Sequence, residues 1–300
     1  MKSLKILKKR IKSISNTAKI TNALEKVSIS KMKKFQNLAA QSIAYANDIA
    51  VIATLISGLV QTDKNNLDPE LLSKYFDEND SELPVGLIVI APTRGFCGSL
   101  ISDMLSNLTK VLSKDIKYAG IGLQRKSWYI MSKFPQINVE TVFEKPIESS
   151  DFENIRGAFD YTFNNYFEKK YSKVFIYYTE YQGSFNYKPV LKQLLPLKFS
   201  DLVEFIDNDE EKKAISEDYI LEPDKNTLFT NIVEKYLRTM YLFSFISSKA
   251  SEHNARMIAM KNATDNAKQL NLSLNLQYNK SRQESITTEL LDIMGGNINT

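Results

Sequence analysis

Glycine and proline are distributed in a way that leaves few folds open to this chain. Neither occurs from Met1 to Ser57 or from Asp224 to Met294, and of the ten glycines and eight prolines all but Gly295 and Gly296 fall between Gly58 and Pro223. In a helix interior proline costs about 3 and glycine about 1 kcal/mol, so breaker-free stretches of this length are what very long helices require. At about 1.5 Å per residue they would run roughly 80 and 105 Å, against an average globular helix of about 11–12 residues.

Apolar spacing supports the helices. Leu4, Leu7, Ile11, Ile14, Ala18 and Thr21 follow alternating steps of three and four, and a shifted register is read through Ile20, Leu24 and Val27 towards Phe35 and Leu38. Near the other end Tyr236, Met240, Phe243, Ser247 and Ala250 keep the spacing, and Leu272, Leu276, Asn279, Gln283, Ile286, Leu290 and Ile293 resume it. Helices this long do not hold themselves in water by propensity. The simplest partner for one end is the other, as an irregular antiparallel coiled coil; two amphipathic helices packed separately on a globular domain are the blander alternative. Asn279 and Gln283, with Arg282 beside them, read equally well as register pins in the seam or as contacts to something around it.

The middle of the chain has a different texture. Val85 to Ala91 is a continuous apolar run after Pro84, as expected of a strand buried on both faces, and Lys117 to Leu123 and Lys173 to Glu180 read the same way. Helical patterns at Ser99–Ser113 and Asp151–Lys170 alternate with them, which predicts a small α/β domain with a mostly parallel sheet. Polar connections over 61–83 and around 200–223 are the expected seams. The reading is therefore a long N-terminal helix over 1–60, an α/β base domain over 84–205 and a long C-terminal helix over 222–300.

Composition narrows the function classes. A hydrophobic fraction of 43% is enough to build a core, and 39 Lys and Arg against 35 Asp and Glu exclude a bulk polyelectrolyte. One Cys and one His exclude a disulfide framework and a Cys/His zinc cluster, and leave nucleophilic catalysis dependent on a single imidazole. The longest apolar stretch, Ile43 to Val60, is interrupted near its start by Asn47 and Asp48 and is too short for the ~20 residues of a membrane span. Met1 to Ser13 has the charge of a signal peptide's first region without the apolar run behind it, so an intracellular, reducing compartment is expected.

The segment Arg94-Gly-Phe-Cys-Gly-Ser99 follows a predicted strand and opens a predicted helix, where phosphate-cradling loops sit. Its spacing matches neither dinucleotide nor P-loop patterns, so a tight turn is the better reading. Cys97 and His253 lie far apart in sequence and receive no catalytic role. The first 35 residues hold eleven Lys or Arg and one acid, Glu25. Such a basic arm fits nucleic acid, an anionic membrane surface or an acidic protein sleeve. Against nucleic acid stand the absence of interleaved aromatics before Phe35 and of any recognisable binding motif.

The run ASEHNARMIAMKNATDNAK at Ala250–Lys268, continued by LQYNKSRQESITTEL at Leu276–Leu290 and Met294-Gly-Gly296, resembles the C-terminal signature of the gamma subunits of rotary F-type ATP synthases. RIKSISNTAKITNALEKVSISKMKK at Arg10–Lys34 is similar to the family's N-terminal signature. Arg94–Ser99 resembles its Arg-Gly-Leu-Cys-Gly-Gly loop, and Gln193–Leu197 and Glu222-Pro-Asp224 match in order.

The resemblance implies a central shaft, an antiparallel coiled coil of the terminal helices on a Rossmann-like α/β base, turning inside three alpha and three beta subunits. It implies coupling of proton or other ion flow through a membrane ring to ATP synthesis or hydrolysis on beta. It implies no catalytic residue in this chain and no cofactor bound by it, with ATP, ADP and Mg on partner subunits. Lys26, Lys31, Arg282, Gln283, Thr287 and Glu289 map onto positions that meet the alpha/beta ring, and Glu222 onto the foot near epsilon and the membrane c-ring. The complex would sit peripherally at the cytoplasmic face of the cell membrane. Departures fall at Lys26, where the family usually has Met, at Ser28-Ile29-Ser30, at Leu221 and at Ala91-Pro-Thr93. They leave open a gamma-like shaft of a specialised F1-like motor not used for ion-driven synthesis, with a basic coiled-coil nucleic-acid-binding protein as the remote alternative.

Overall fold

The computed structural model describes residues 4–62, 68–144, 152–183, 186–198 and 222–296. Two helices dominate, α1 (Leu4–Thr62) of 59 residues and α6 (Lys225–Gly296) of 72 residues, each occupying one of the breaker-free stretches. Between them lie α2 (Pro69–Phe76), β1 (Val85–Ile90), α3 (Leu100–Val111), β2 (Tyr118–Leu123), α4 (Arg125–Met131), β3 (Ile137–Phe143), α5 (Phe152–Phe167), β4 (Val174–Tyr181) and β5 (Tyr187–Leu195). The chain divides into two units, one made of residues 1–30 with 255–300 and the other of residues 31–254.

The second unit holds a five-stranded sheet in the order β3-β2-β1-β4-β5. The first four strands run parallel, and β5 returns antiparallel beside β4. β1 and β2 are buried throughout, as unbroken apolar runs require when both faces are covered. On one face Leu87 and Val89 pack with Met104 and Leu108 of α3 and Ile130 and Met131 of α4. On the other Ile88 and Ile90 meet Phe159 and Phe163 of α5, Ala46 and Ile49 of α1 and Val233, Leu237 and Tyr241 of α6. Phe35 of α1 joins Ile246 and Ala250 of α6 and stacks on His253 at 5.7 Å between ring centroids, which makes the single histidine a seam residue.

Four elements go beyond the sequence reading: α2, α4, β3 and β5. The polar stretch read as a connection over 61–83 contains α2, started by Asp68, whose carboxylate accepts the Glu70 N–H at 3.1 Å, and by Pro69 in the first turn. β3 and β5 are also additional: β3 alternates in burial as an edge strand does, and β5 carries Pro189, which an edge position tolerates. The connection expected around 200–223 lies almost entirely outside the described residues.

In the first unit the two long helices pack antiparallel: Thr21 and Thr264 share a hydrogen bond of 2.7 Å, and Asn271 Nδ2 donates to the Ile11 carbonyl at 3.4 Å. The seam on α1 keeps the spacing of Leu4, Leu7, Ile11, Ile14, Ala18 and Thr21 and continues unshifted through Glu25 and Ser28. The shifted register is wrong, for Ile20, Leu24 and Val27 are exposed. On α6 the seam is Met260, Thr264, Ala267, Asn271, Leu274, Tyr278, Ser281 and Ser285. The expected set Leu272, Leu276, Ile286 and Leu290 faces outward, and Asn279 and Gln283 are exposed and not seam pins; the side chain of Ile293 lies outside the described residues. The physical reason is that hydroxyl and small side chains at Thr21, Ser28, Thr264 and Ala267 let the helices approach closely enough for Thr21 and Thr264 to hydrogen-bond, with Leu7, Ile11, Ile14, Met260 and Leu274 sharing the same seam.

Candidate functional site

The features singled out by sequence are surfaces. Of the N-terminal cations, Lys5, Lys8, Lys9, Arg10, Lys12, Lys19, Lys26, Lys33 and Lys34 are exposed on α1, and Lys31 is half-buried. Glu25 is half-buried at the seam, so the outward face is almost purely cationic. Charges of one sign at this density repel one another and favour an acidic surface opposite.

Near the end of α6, Arg282, Gln283, Thr287 and Glu289 are exposed. Thr287 Oγ1 donates to the Gln283 carbonyl at 2.9 Å and Ser285 Oγ donates to the Glu289 carboxylate at 3.3 Å, bonds along the helix that leave the guanidinium and amide ends facing outward. Around them lies apolar surface that no composition argument accounts for. Leu272 is 68% and Leu276 72% exposed, with Leu270, Leu290, Leu291 and Met294 also outward. Several large apolar side chains on one exposed helix are a candidate contact surface.

Glu222 is exposed just before α6. Its neighbour Asp224 caps that helix: its carboxylate accepts the Thr227 N–H at 2.9 Å and the Thr227 hydroxyl at 2.8 Å. Those two hydrogen bonds, the backbone one first, hold the Asp224 carboxyl below the usual carboxylate range. The Glu222-Pro-Asp224 motif therefore contains a helix start, a role its Asp-x-x-Thr pattern made readable.

The loop from Arg94 to Ser99 is a turn built for shape. Phe96 and Gly98 both have positive φ, at 61° and 57°. Phe96 is 76% exposed and Cys97 is buried, its thiol 3.4 Å from the Arg94 carbonyl. Ser99 precedes α3 and its hydroxyl donates at 2.8 Å to Asp103, a carboxylate in the first turn of that helix, which disfavours a second anion there. Among the described residues no group of His, Cys, Asp and Glu has the arrangement of a metal site, and no helix is long and apolar enough to cross a membrane.

Known proteins decide the family. The sequence model of the ATP synthase family matches residues 3–298. The ATP synthase gamma chain of Cupriavidus pinatubonensis is 32% identical over 301 residues, covering 99% of both chains. This chain belongs to the ATP synthase gamma family. The gamma chain of Dehalococcoides mccartyi is 31% identical over 297 residues, covering 99% of this chain and 98% of its own. In fold, the chain resembles one from the rotor of the Euglena gracilis mitochondrial ATP synthase, with a TM-score of 0.57 at 17% identity over 95% of this chain and 99% of that one. It also resembles a central-stalk chain of the Tetrahymena thermophila enzyme, at 0.56 and 19% over 81% and 99%.

Proposed function

We propose that this chain is the rotating central shaft of an F1-type ATPase, a non-catalytic subunit that couples ion flow through a membrane ring to ATP synthesis or hydrolysis on beta subunits. The observation that carries the reading is the outward surface of the first unit, cationic along α1 and leucine-rich along α6. Covering each outward leucine would stabilise the assembly by about 1.5–3 kcal/mol. A sleeve of three alpha and three beta subunits supplies such cover, with acidic loops opposite Lys26 and Lys31. Arg282, Gln283, Thr287 and Glu289 are the contacts of that ring near the end of α6, and Glu222 is the contact of the foot with epsilon and the c-ring. An asymmetric shaft binds three beta subunits unequally and so holds them in different conformations, which is coupling by differential contact.

On this reading the covalent chemistry, with ATP, ADP and Mg, belongs to the partner subunits, and Asp103 in the first turn of α3 disfavours a phosphate beside the Arg94–Ser99 loop. Peripheral attachment at the cytoplasmic face of the cell membrane follows from the complex. The test is purification of the native complex in gentle detergent through a tag on this chain. Recovery of alpha, beta, epsilon and the ion ring is the expected result. Alpha- and beta-like subunits with other proteins at the foot would make it the shaft of a specialised F1-like motor, and duplex DNA bound with steep salt dependence in their place would overturn the reading.

A further inference from the structure

In an open sheet of this topology, the strand order changes direction between β1 and β4, and the crevice at their C-terminal edges is where such folds take ligands. Here α6 fills it. Ser248 Oγ accepts the Thr179 N–H at 3.0 Å, Ser247 Oγ accepts the Tyr181 N–H at 2.9 Å, and Ser251 Oγ donates to the Thr179 carbonyl at 3.1 Å. Asn254 Nδ2 donates to the Gly183 carbonyl at 3.3 Å. The end of β4 is therefore stitched to one face of the helix.

A charged pair secures the next strands. Lys249 and Glu252, one turn apart on α6, are 3.0 Å from each other with side chains only 5% and 4% exposed. Both reach Thr93, just beyond β1: its N–H donates to Glu252 Oε2 at 3.2 Å, and its hydroxyl accepts from Lys249 Nζ. The same hydroxyl donates at 3.0 Å to Oε1 of the fully buried Gln124, which follows β2. One helical turn thus holds the loops after β1 and β2 as well as the end of β4.

Cohesion does not explain this arrangement. A buried ion pair loses hydration, and well-packed apolar residues of similar volume in its place are often neutral or stabilising. What the pair adds over apolar packing is direction: ridges of apolar side chains tolerate small slides and rotations, whereas a salt bridge shared with one backbone N–H and one hydroxyl accepts a single setting. We propose that Lys249, Glu252 and Thr93 form a register lock that holds α6 at one axial and rotational position on the sheet. Lys249 and Glu252 are then positioning residues through which torque passes between α6 and the sheet, the torque part resting on the rotary function proposed above. Asn254, three bonds further along the same stitching, is the last α6 residue of this unit.

The test compares the intact complex carrying wild-type chain with one carrying Lys249→Met/Glu252→Leu, which keeps volume and removes charge. The variant complex is expected to assemble with an unchanged or higher thermal midpoint and unchanged ATP hydrolysis. Amide exchange at Thr93, Thr179 and Tyr181 should quicken by about two- to tenfold, and ions pumped per ATP hydrolysed should fall at least about twofold. A merely structural role would move assembly or hydrolysis and leave that ratio alone. Unchanged exchange overturns the lock, as does failure of the apolar pair to assemble. Faster exchange with an unchanged ratio keeps the lock and overturns its part in torque. A wild-type complex that hydrolyses ATP without pumping would overturn ion coupling itself, and exchange at the three amides would still decide the lock.

Discussion

Helix α6 lives in two environments, and its sequence changes with them. From Val233 to Asn254 most of its residues are buried, on an apolar and aromatic surface that includes Tyr236, Tyr241 and Phe245. Tyr241 is packed so completely that burial, helped by the charge of Asp160, raises its hydroxyl far above the ordinary tyrosine range. From Met260 onward only every third or fourth residue is covered, Thr264, Ala267 and Leu274 among them, while Leu270, Leu272, Leu276, Leu290 and Leu291 point outward. The first segment is held by what it buries within this chain. The second is held by its seam with α1 and leaves leucines such as Leu272 and Leu276 exposed, the surface that the proposed shaft would offer its partners.

Truncation at matched residues breaks the comparison most sharply. Leu237→Ala, in the doubly covered segment, should lower the chain's unfolding free energy by about 2–5 kcal/mol. Leu276→Ala should change it by less than about 0.5 kcal/mol in denaturant titration, yet speed dissociation of the assembled complex. Equal effects on chain stability would remove the distinction between the segments.

Within the sheet unit, Gly122→Ala should cost about 1–3 kcal/mol, because its new methyl would press on Ser127 Oγ and on Val142 where α4 and β3 close over β2. Gly95→Ala, with nothing within 4 Å of the added carbon, should be neutral in the same melt. In the other unit, Thr264→Val removes the hydrogen bond to Thr21 and should cost about 0.5–1.5 kcal/mol. Adding Thr21→Val should then cost less than Thr21→Val alone, since the pair acts together.

A smaller effect is expected at the start of α6. The Asp224 carboxyl is held low by its bonds to Thr227, so the cap contributes fully above the ordinary carboxylate range and is lost as pH falls through the lowered value. Melts of wild type and Asp224→Ala should therefore differ at neutral pH and converge in acid. The smallest change in chain stability is predicted for Lys26→Met, which removes an exposed cation. Its effect belongs in the reconstituted complex, where weaker attraction to acidic beta loops should alter coupling; unchanged torque and coupling would refute that role for Lys26.

The parts of the fold that were legible share one property: a signal that does not depend on what lies opposite. Breaker-free stretches announced α1 and α6, and largely apolar runs announced β1, β2 and β4. The signatures at Arg10–Lys34 and Ala250–Lys268 carried the family. Elements with weaker local signals were missed. INVETVF and YKPVLKQLL mix charge and proline into edge strands, and α2 hides in an acidic segment although Asp68-Pro69 marks its start. The seam register was misread for a deeper reason. Ile20, Leu24 and Val27 have the spacing of a core stripe, and only the partner helix decides that the register of Thr21 runs on, with Glu25 and Ser28 facing inward in their stead. The lock at Thr93 left no signal, since Lys249 and Glu252 read as an ordinary surface pair one turn apart.

By itself, the sequence determined that both ends of this chain are helical, that a parallel sheet lies between them and that the family is that of a rotary shaft. These follow from local backbone preference, from hydrophobic runs and from long motifs. Only the tertiary structure decided which faces of the helices meet, that leucines such as Leu272 and Leu276 face outward and that α6 fills the sheet's own crevice with a buried charge pair. Those outcomes turn on the distance and desolvation of groups far apart in the chain, as Thr93 and Lys249 are, and periodicity carries no information about either.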